Sequence, residues 1–200
     1  MLRPIELYVE DINKRIVDEC YYNIDYQYYF GNSNFKIKTD EKDTYKKHSF
    51  ASIKKCENKD GKDTILGVIQ LEIDRDTYSI SNMSAFSFGR RDPVFGMDCM
   101  QAIHNCFLVY RFNKLKITVI EGNPAIKSYM SLMKRIGGRQ VGVFEKECVM
   151  LDGKFRDMIL LECLRSNFKP MVTRENSDWH IQINKTDLDD LIEYQKQFNK

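Results

Sequence analysis

The spacing of apolar residues predicts two helices and then two strands in the first half of the chain. Apolar side chains recur at helical spacing over residues 9–24. Residues 40–55 begin with acidic and end with basic side chains, an order that suits the dipole of a second helix. Residues 65–73 and 78–88 are rich in β-branched and aromatic side chains and flank a polar turn, which is typical of two paired strands.

The second half of the chain continues the alternation of helices and strands. Five elements are predicted, in the order helix, strand, helix, strand, strand: residues 95–110, 115–120, 124–136, 141–151 and 155–164. The last two flank Asp152-Gly153, a strong signal for a tight β-hairpin. A further helix is predicted over residues 187–198. The whole order indicates an α+β fold with a sheet covered by helices.

Composition narrows the classes of protein that the chain can belong to. The 200 residues are 42% hydrophobic and 30% charged, which is typical of a globular domain and not of a disordered chain. The net charge of +2 makes nucleic acid an unexpected partner, and no apolar run is long enough to predict a membrane span. The six cysteines form no CxxC pair, and the first residues do not resemble a signal peptide, so we expect a cytoplasmic protein with reduced thiols and no metal.

Four segments together resemble the GNAT-type N-acetyltransferases, and most closely the branch of ribosomal-protein N-terminal acetyltransferases. They are Leu2-Arg3-Pro4-Ile5, the paired-strand segment Leu66 to Asp74, Asn123 to Tyr129, and the hairpin Leu151 to Asp157. The resemblance implies a mixed α/β (α+β) GNAT-like fold over residues 1–164, with a C-terminal extension over residues 165–200. The implied sheet is twisted, mostly antiparallel, splayed at its centre and built of about six or seven strands, with helices on both faces.

The resemblance implies acetyl-CoA as co-substrate, held by the strand edge at residues 86–88 and by a phosphate loop that opens a helix. Arg91 and Gly96 match the loop of the family, whereas Val94 stands where the family has glycine and Pro93 has no N–H to donate. Asp92 adds a negative charge beside the phosphate position. The residues expected to bind the cofactor are Phe86, Ser87, Phe88, Arg90, Arg91, Val94, Phe95, Gly96, Met97 and Asn123.

The resemblance also assigns candidate roles in acetyl transfer. Tyr129 would protonate the departing thiolate. The base is taken from the residues themselves: Glu72, near the end of a central strand, is the candidate, with Asp74 or a water relay as alternatives. The aromatic run over residues 21–30 lies where this family walls its acceptor site. The expected acceptor-binding residues are Asp25, Tyr26, Tyr28 and Tyr29. Packing on the sheet is the structural alternative for these aromatic side chains.

The resemblance implies an acetyl-CoA-dependent N-acetyltransferase that uses direct transfer in a ternary complex. The acceptor amine is left open between an amino-sugar nucleotide, a peptide N-terminus and a small amine. The departures from the family pattern at Asp92, Pro93 and Val94 suggest an alternative function, a catalytically weakened GNAT-fold module for binding or assembly. A second alternative is an enzyme that uses longer acyl-CoAs. Residues 165–200 are compatible with packing on the domain, with covering the acceptor site, or with forming a homodimer.

Overall fold

The fold is described from a computed structural model, which covers residues 1–21, 23–30, 37, 46–54, 61–89 and 92–171. The chain divides into two compact units, Met1–Pro170 and Met171–Lys200. Arg90, Arg91 and the predicted helix over residues 187–198 lie outside the described residues, as does the side chain of Asp25.

Within the described residues, seven strands form one sheet in the spatial order β1-β2-β3-β4-β5-β7-β6. All neighbouring strands are antiparallel except β4 and β5, which are parallel. Their bounds are Leu2–Pro4 (β1), Lys47–Lys54 (β2), Thr64–Asp74 (β3), Ser79–Ser87 (β4), Lys114–Ile120 (β5), Arg139–Val149 (β6) and Phe155–Leu164 (β7). This is the mostly antiparallel sheet with covering helices that the sequence predicts.

Four α-helices are found in the described residues. They are Val9–Arg15 (α1), Ile24–Phe30 (α2), Pro93–His104 (α3) and Ile126–Arg135 (α4). Two of them continue into a π-helical turn, α1 through Ile16–Cys20 and α3 through Asn105–Val109. Short 3-10 turns lie at Ile5–Leu7 and Arg165–Asn167. None of the described helices is long and apolar enough to cross a membrane.

The helices cover the two faces of the sheet in pairs. Ala51, Val68 and Phe86 are directly opposite one another on β2, β3 and β4, and their side chains join the buried cluster that includes Ile12 of α1 and Ile16 of its π-helical turn. On the other face, the Ser52 hydroxyl donates a hydrogen bond of 2.6 Å to buried Asp98 of α3. The methyl group of Met133 from α4 also lies on this face, beside Gly138 and Cys163.

The sheet opens at its centre. β4 and β5 pair only at their first residues, Ser79 with Lys114 and Ile80 with Leu115. Beyond these two pairs the strands diverge, so the remaining length of β4 has a backbone edge that faces a gap. The gap is the splay that the GNAT resemblance predicts.

One predicted element is wrong. The helix expected over residues 40–55 is, in its described part, the strand Lys47–Lys54. The acid-to-base order indicated a helix, but residues 47–53 also alternate between two faces, and pairing with both β1 and β3 buries Ala51 and Ile53. Tertiary pairing therefore overrides a weak local preference.

Candidate active site

Tyr129 reaches from α4 into the gap between β4 and β5. Its hydroxyl donates a hydrogen bond of 3.2 Å to the carbonyl oxygen of Ala85 on β4. Burial raises the pKa of Tyr129 above its ordinary value, and nearby Tyr29 and Cys99 raise it further. The phenol therefore stays protonated at neutral pH, in the state that an acid needs.

Three elements meet around this hydroxyl. Tyr29 lies on α2, Cys99 on α3 and Ala85 on β4, so both faces of the sheet contribute to the gap. Burial raises the pKa of the Cys99 thiol to about 12. The Cys99 thiol therefore lines the gap in its uncharged form at physiological pH and is not a thiolate nucleophile.

The register of β4 shows which backbone groups face the gap. The Phe88 N–H donates to the Leu66 carbonyl of β3 at 2.9 Å. Because N–H groups alternate along a strand, Ser87 directs its N–H away from β3 and into the gap, as Ala85 directs its carbonyl. The side chains of Phe86 and Phe88 belong to the buried core under α1. Of the three residues predicted to hold the cofactor here, Ser87 is the one with a backbone group facing the gap.

The N-terminus of α3 is occupied by its own cap. Asp92 is the N-cap residue, and its carboxylate accepts a hydrogen bond of 2.7 Å from the Val94 N–H. The Gly96 N–H points at the Asp92 carbonyl at 3.3 Å, and Pro93 has no N–H. The amides that a phosphate loop would offer are thus largely engaged, and a carboxylate sits where a phosphate is expected.

The other predicted loop residues have different positions. The ring of Phe95 packs against Gly67 of β3, so closely that a Cβ at position 67 would lie 2.5 Å from Cε2 of the ring. Met97 is exposed. Asn123 is buried, and its side-chain oxygen accepts a 2.8 Å hydrogen bond from the Ala125 N–H, which shapes the turn before α4.

Helix α2 spans the gap on the face of α1. The Tyr26 hydroxyl accepts a hydrogen bond of 3.0 Å from the Gly89 N–H, at the end of β4. The Tyr28 hydroxyl lies beside Gly122, just after β5. The Gln27 side chain accepts a 2.8 Å hydrogen bond from the Leu151 N–H of the β6–β7 hairpin. The structure thus places the predicted aromatic residues over the gap, where each of Tyr26 and Tyr28 also has a structural contact.

Glu72 lies on β3 in an ion pair. Lys47 Nζ is 3.1 Å from Glu72 Oε1, and Asn82 of β4 is directly opposite. Asn82 precedes Ala85 by three residues, so Glu72 lies roughly 10 Å along the sheet from the Tyr129 hydroxyl. Asp74 accepts a 2.7 Å hydrogen bond from the Thr77 hydroxyl in the turn between β3 and β4, and this contact lowers its pKa.

Sequence reasoning missed a row of polar residues beside the gap. Asn82 Oδ1 accepts hydrogen bonds from both the N–H (3.3 Å) and the hydroxyl (3.1 Å) of Thr118 on β5. Gln70 Nε2 donates to Ser49 Oγ at 3.0 Å, and Ser84 is opposite Gln70. The signal was the alternation of polar residues in β3 and β4, but only the register shows that they share one face.

Solved acetyltransferase structures share this architecture. A spermidine N-acetyltransferase from Vibrio cholerae in complex with CoA and spermine has a TM-score of 0.62 and 15% identity over 84% of this chain and 96% of that chain. A dodecameric spermidine N-acetyltransferase from the same organism has a TM-score of 0.59 and 13% identity over 83% and 94%. A probable acetyltransferase has a TM-score of 0.59 and 13% identity over 84% and 93%.

The chain has the GNAT acetyltransferase fold. No protein-family model matches the sequence, and no curated protein matches it either. At 13–15% identity the likeness concerns the GNAT fold, and the acceptors named for those proteins are not carried over.

Proposed function

We propose that the protein is an acetyl-CoA-dependent N-acetyltransferase that transfers the acetyl group directly to a primary amine in a ternary complex. The observation that carries the proposal is the Tyr129 hydroxyl inside the gap between β4 and β5, on the Ala85 carbonyl. CoA in a structure of the same fold supports acetyl-CoA as co-substrate. The finer parts of the proposal are a place among the ribosomal-protein N-terminal acetyltransferases, which rests on the sequence resemblance, and a cytoplasmic location, which rests on the pattern of cysteines.

The residues around the gap fit an acetyl thioester. When bound, acetyl-CoA supplies an activated acetyl group. The Ser87 N–H faces the gap, where it can donate to a carbonyl oxygen that gains negative charge. The Tyr129 hydroxyl, which is protonated at neutral pH, can donate a hydrogen bond and then its proton to a departing sulfur.

The amine must lose a proton before it can attack. Glu72 is the proposed base, and at roughly 10 Å along the sheet it would act through water rather than by direct contact. The hydroxyl and amide groups of Ser84, Gln70 and Asn82 lie along that path. The Asp74 carboxylate already accepts a hydrogen bond from Thr77 within the turn, so Asp74 is the weaker candidate for the base.

The second candidate function is a GNAT-fold module with weakened catalysis. The Asp92 carboxylate on the Val94 N–H favours it, because an anion already occupies this N-terminus of α3. A Val94→Gly variant separates the two functions. Acetyl-CoA binding by the wild type supports the enzyme, whereas binding by the variant alone supports the weakened module.

The test combines titration calorimetry with turnover. We expect acetyl-CoA and desulfo-CoA to bind at one site with micromolar affinity. Tyr129→Phe should lower kcat by about 100-fold or more while the Kd for acetyl-CoA stays nearly unchanged, because the hydroxyl acts only when the thiolate leaves. Tyr78→Phe is the matched control, since it removes a hydroxyl that also donates to a backbone carbonyl, that of Tyr110. No binding at millimolar acetyl-CoA, or full activity of Tyr129→Phe, would contradict the proposal.

A further inference from the structure

A polar stripe crosses the sheet beside the gap, on the face covered by α1 and α2. Each of its residues is directly opposite, or hydrogen-bonded to, another on the neighbouring strand, and next to it the same face is apolar at Ala51, Val68 and Phe86. The stripe consists of Lys47, Ser49, Gln70, Glu72, Asn82, Ser84 and Thr118. Ser84 immediately precedes Ala85, so the stripe begins beside the Tyr129 hydroxyl.

The side-chain amides of Gln70 and Asn82 each use one of their two polar atoms in a hydrogen bond within the stripe. Gln70 uses Nε2 on Ser49, and Asn82 uses Oδ1 on Thr118. Among the described residues, Gln70 Oε1 and Asn82 Nδ2 have no hydrogen-bond partner. The fixed ends orient an acceptor and a donor for a ligand, which is the pattern that recognises hydroxyl groups.

The charges of the stripe are already balanced. Glu72 is paired with Lys47, and Lys116, two residues from Thr118 on the same face of β5, lies near Asp74. A polyamine has several cationic centres and would need carboxylates without such partners. The described part of this face therefore does not match a polycation, although a solved enzyme of the same fold holds spermine.

We infer that the polar stripe is the acceptor subsite and that it takes an amine of the amino-sugar class, with hydroxyl groups and a single cationic centre. The inference rests on the proposed function and specifies its acceptor. On the same face, Tyr29 of α2 lies near the Tyr129 phenol, beside which the stripe begins. A sugar ring can present an apolar face to the Tyr29 ring and its hydroxyls to Gln70 and Asn82.

The experiment compares three amines by titration calorimetry, with and without saturating desulfo-CoA. Glucosamine has hydroxyls and one amine, cyclohexylamine has one amine without hydroxyls, and spermidine has several amines. We expect glucosamine to bind at least about 10-fold more tightly than either, the ratio worth one or two hydrogen bonds. Gln70→Leu should remove most of that preference, whereas the control Gln140→Leu, on exposed β6, should keep it.

A charge variant provides a second, independent readout. Lys47→Met leaves Glu72 without its cation, so we expect spermidine binding to improve by about 5-fold, and Lys47→Met/Glu72→Gln should cancel the gain. Tighter binding of spermidine than of glucosamine by the wild type, or no effect of Gln70→Leu on glucosamine, would overturn the inference. Because amine binding is measured without turnover, Gln70-dependent glucosamine binding without any acetyl-CoA binding would uphold the subsite and refute the transferase.

Discussion

Substitution of Asp92 tests whether the N-terminus of α3 binds the phosphate groups of acetyl-CoA. Its carboxylate lies 2.7 Å from the Val94 N–H, the position that the GNAT resemblance assigns to the cofactor pyrophosphate. Asp92→Asn keeps a side-chain oxygen for the cap and removes the charge, because asparagine and aspartate cap helices about equally well. We therefore expect tighter binding of acetyl-CoA without a loss of stability.

The size of the gain follows from Coulomb's law. A phosphate seated at these amides would lie about 5 Å from the carboxylate, where two unit charges repel by about 1 kcal/mol in water and about 3 kcal/mol at the effective dielectric of a protein surface. Removing the charge should lower the Kd by about 5-fold to about 150-fold. The gain should shrink as salt is added, because the site is open to solvent.

Calorimetry of acetyl-CoA binding and thermal unfolding together test this reasoning. Asp92→Ala is the matched variant: it also removes the charge, but it removes the cap, so it should bind acetyl-CoA more tightly while losing about 1 kcal/mol of stability. An unchanged or weaker affinity in Asp92→Asn would show that the carboxylate is not near the phosphates. The α3 N-terminus would then have no part in holding the cofactor.

Two further predictions concern stability. Gly67→Ala should destabilise the fold by about 3 kcal/mol, because the new Cβ would meet the Phe95 ring and the Phe86 carbonyl, whereas Gly96→Ala, with open space around it in α3, should stabilise by about 1 kcal/mol. Equal melting temperatures for these two variants would contradict the packing of Phe95. Burial and nearby Arg75 lower the pKa of His48 in the folded protein. Below about pH 6.5 the His48 side chain binds a proton more readily in the unfolded chain than in the folded protein, so the free energy of unfolding should fall there. His48→Gln should therefore make the free energy of unfolding depend less on pH. An unaltered slope in this variant would refute the prediction.

The sequence predicts most of the fold because its strong patterns are local. The hairpin around Asp152-Gly153, the strand Thr64–Asp74 and the helix that begins at Pro93 each carry their own periodicity and their own turn or cap residues. The strand Lys47–Lys54 was missed because its identity depends on pairing with Gly67 and Val68, which local charge order does not report. Nothing in a single window reveals such a partner.

Some residues of the candidate site can likewise be predicted from the sequence, and others depend on how the strands pair. The resemblance predicts Tyr129 as the acid, and in the structure its hydroxyl lies at the gap, while its role stays a prediction. The roles of Phe86, Phe88 and Phe95 could not be separated from that of Ser87, because the sequence does not give the phase of the hydrogen bonds between β3 and β4. One residue of register decides whether a backbone N–H faces β3 or the gap.

The gap itself depends on a contact between residues far apart in the sequence. β4 and β5 stop pairing after Ile80 and Leu115, yet the Thr118 N–H is satisfied, because Asn82 Oδ1 takes the place of a backbone carbonyl at 3.3 Å. A buried strand with an unpaired N–H would be costly, so this side chain lets β5 leave β4 without that penalty. Asn82 thus links the two features on which the proposed chemistry depends: its Oδ1 satisfies β5 where the sheet opens, at the gap proposed to hold the thioester, and its Nδ2 donors are left for the proposed acceptor.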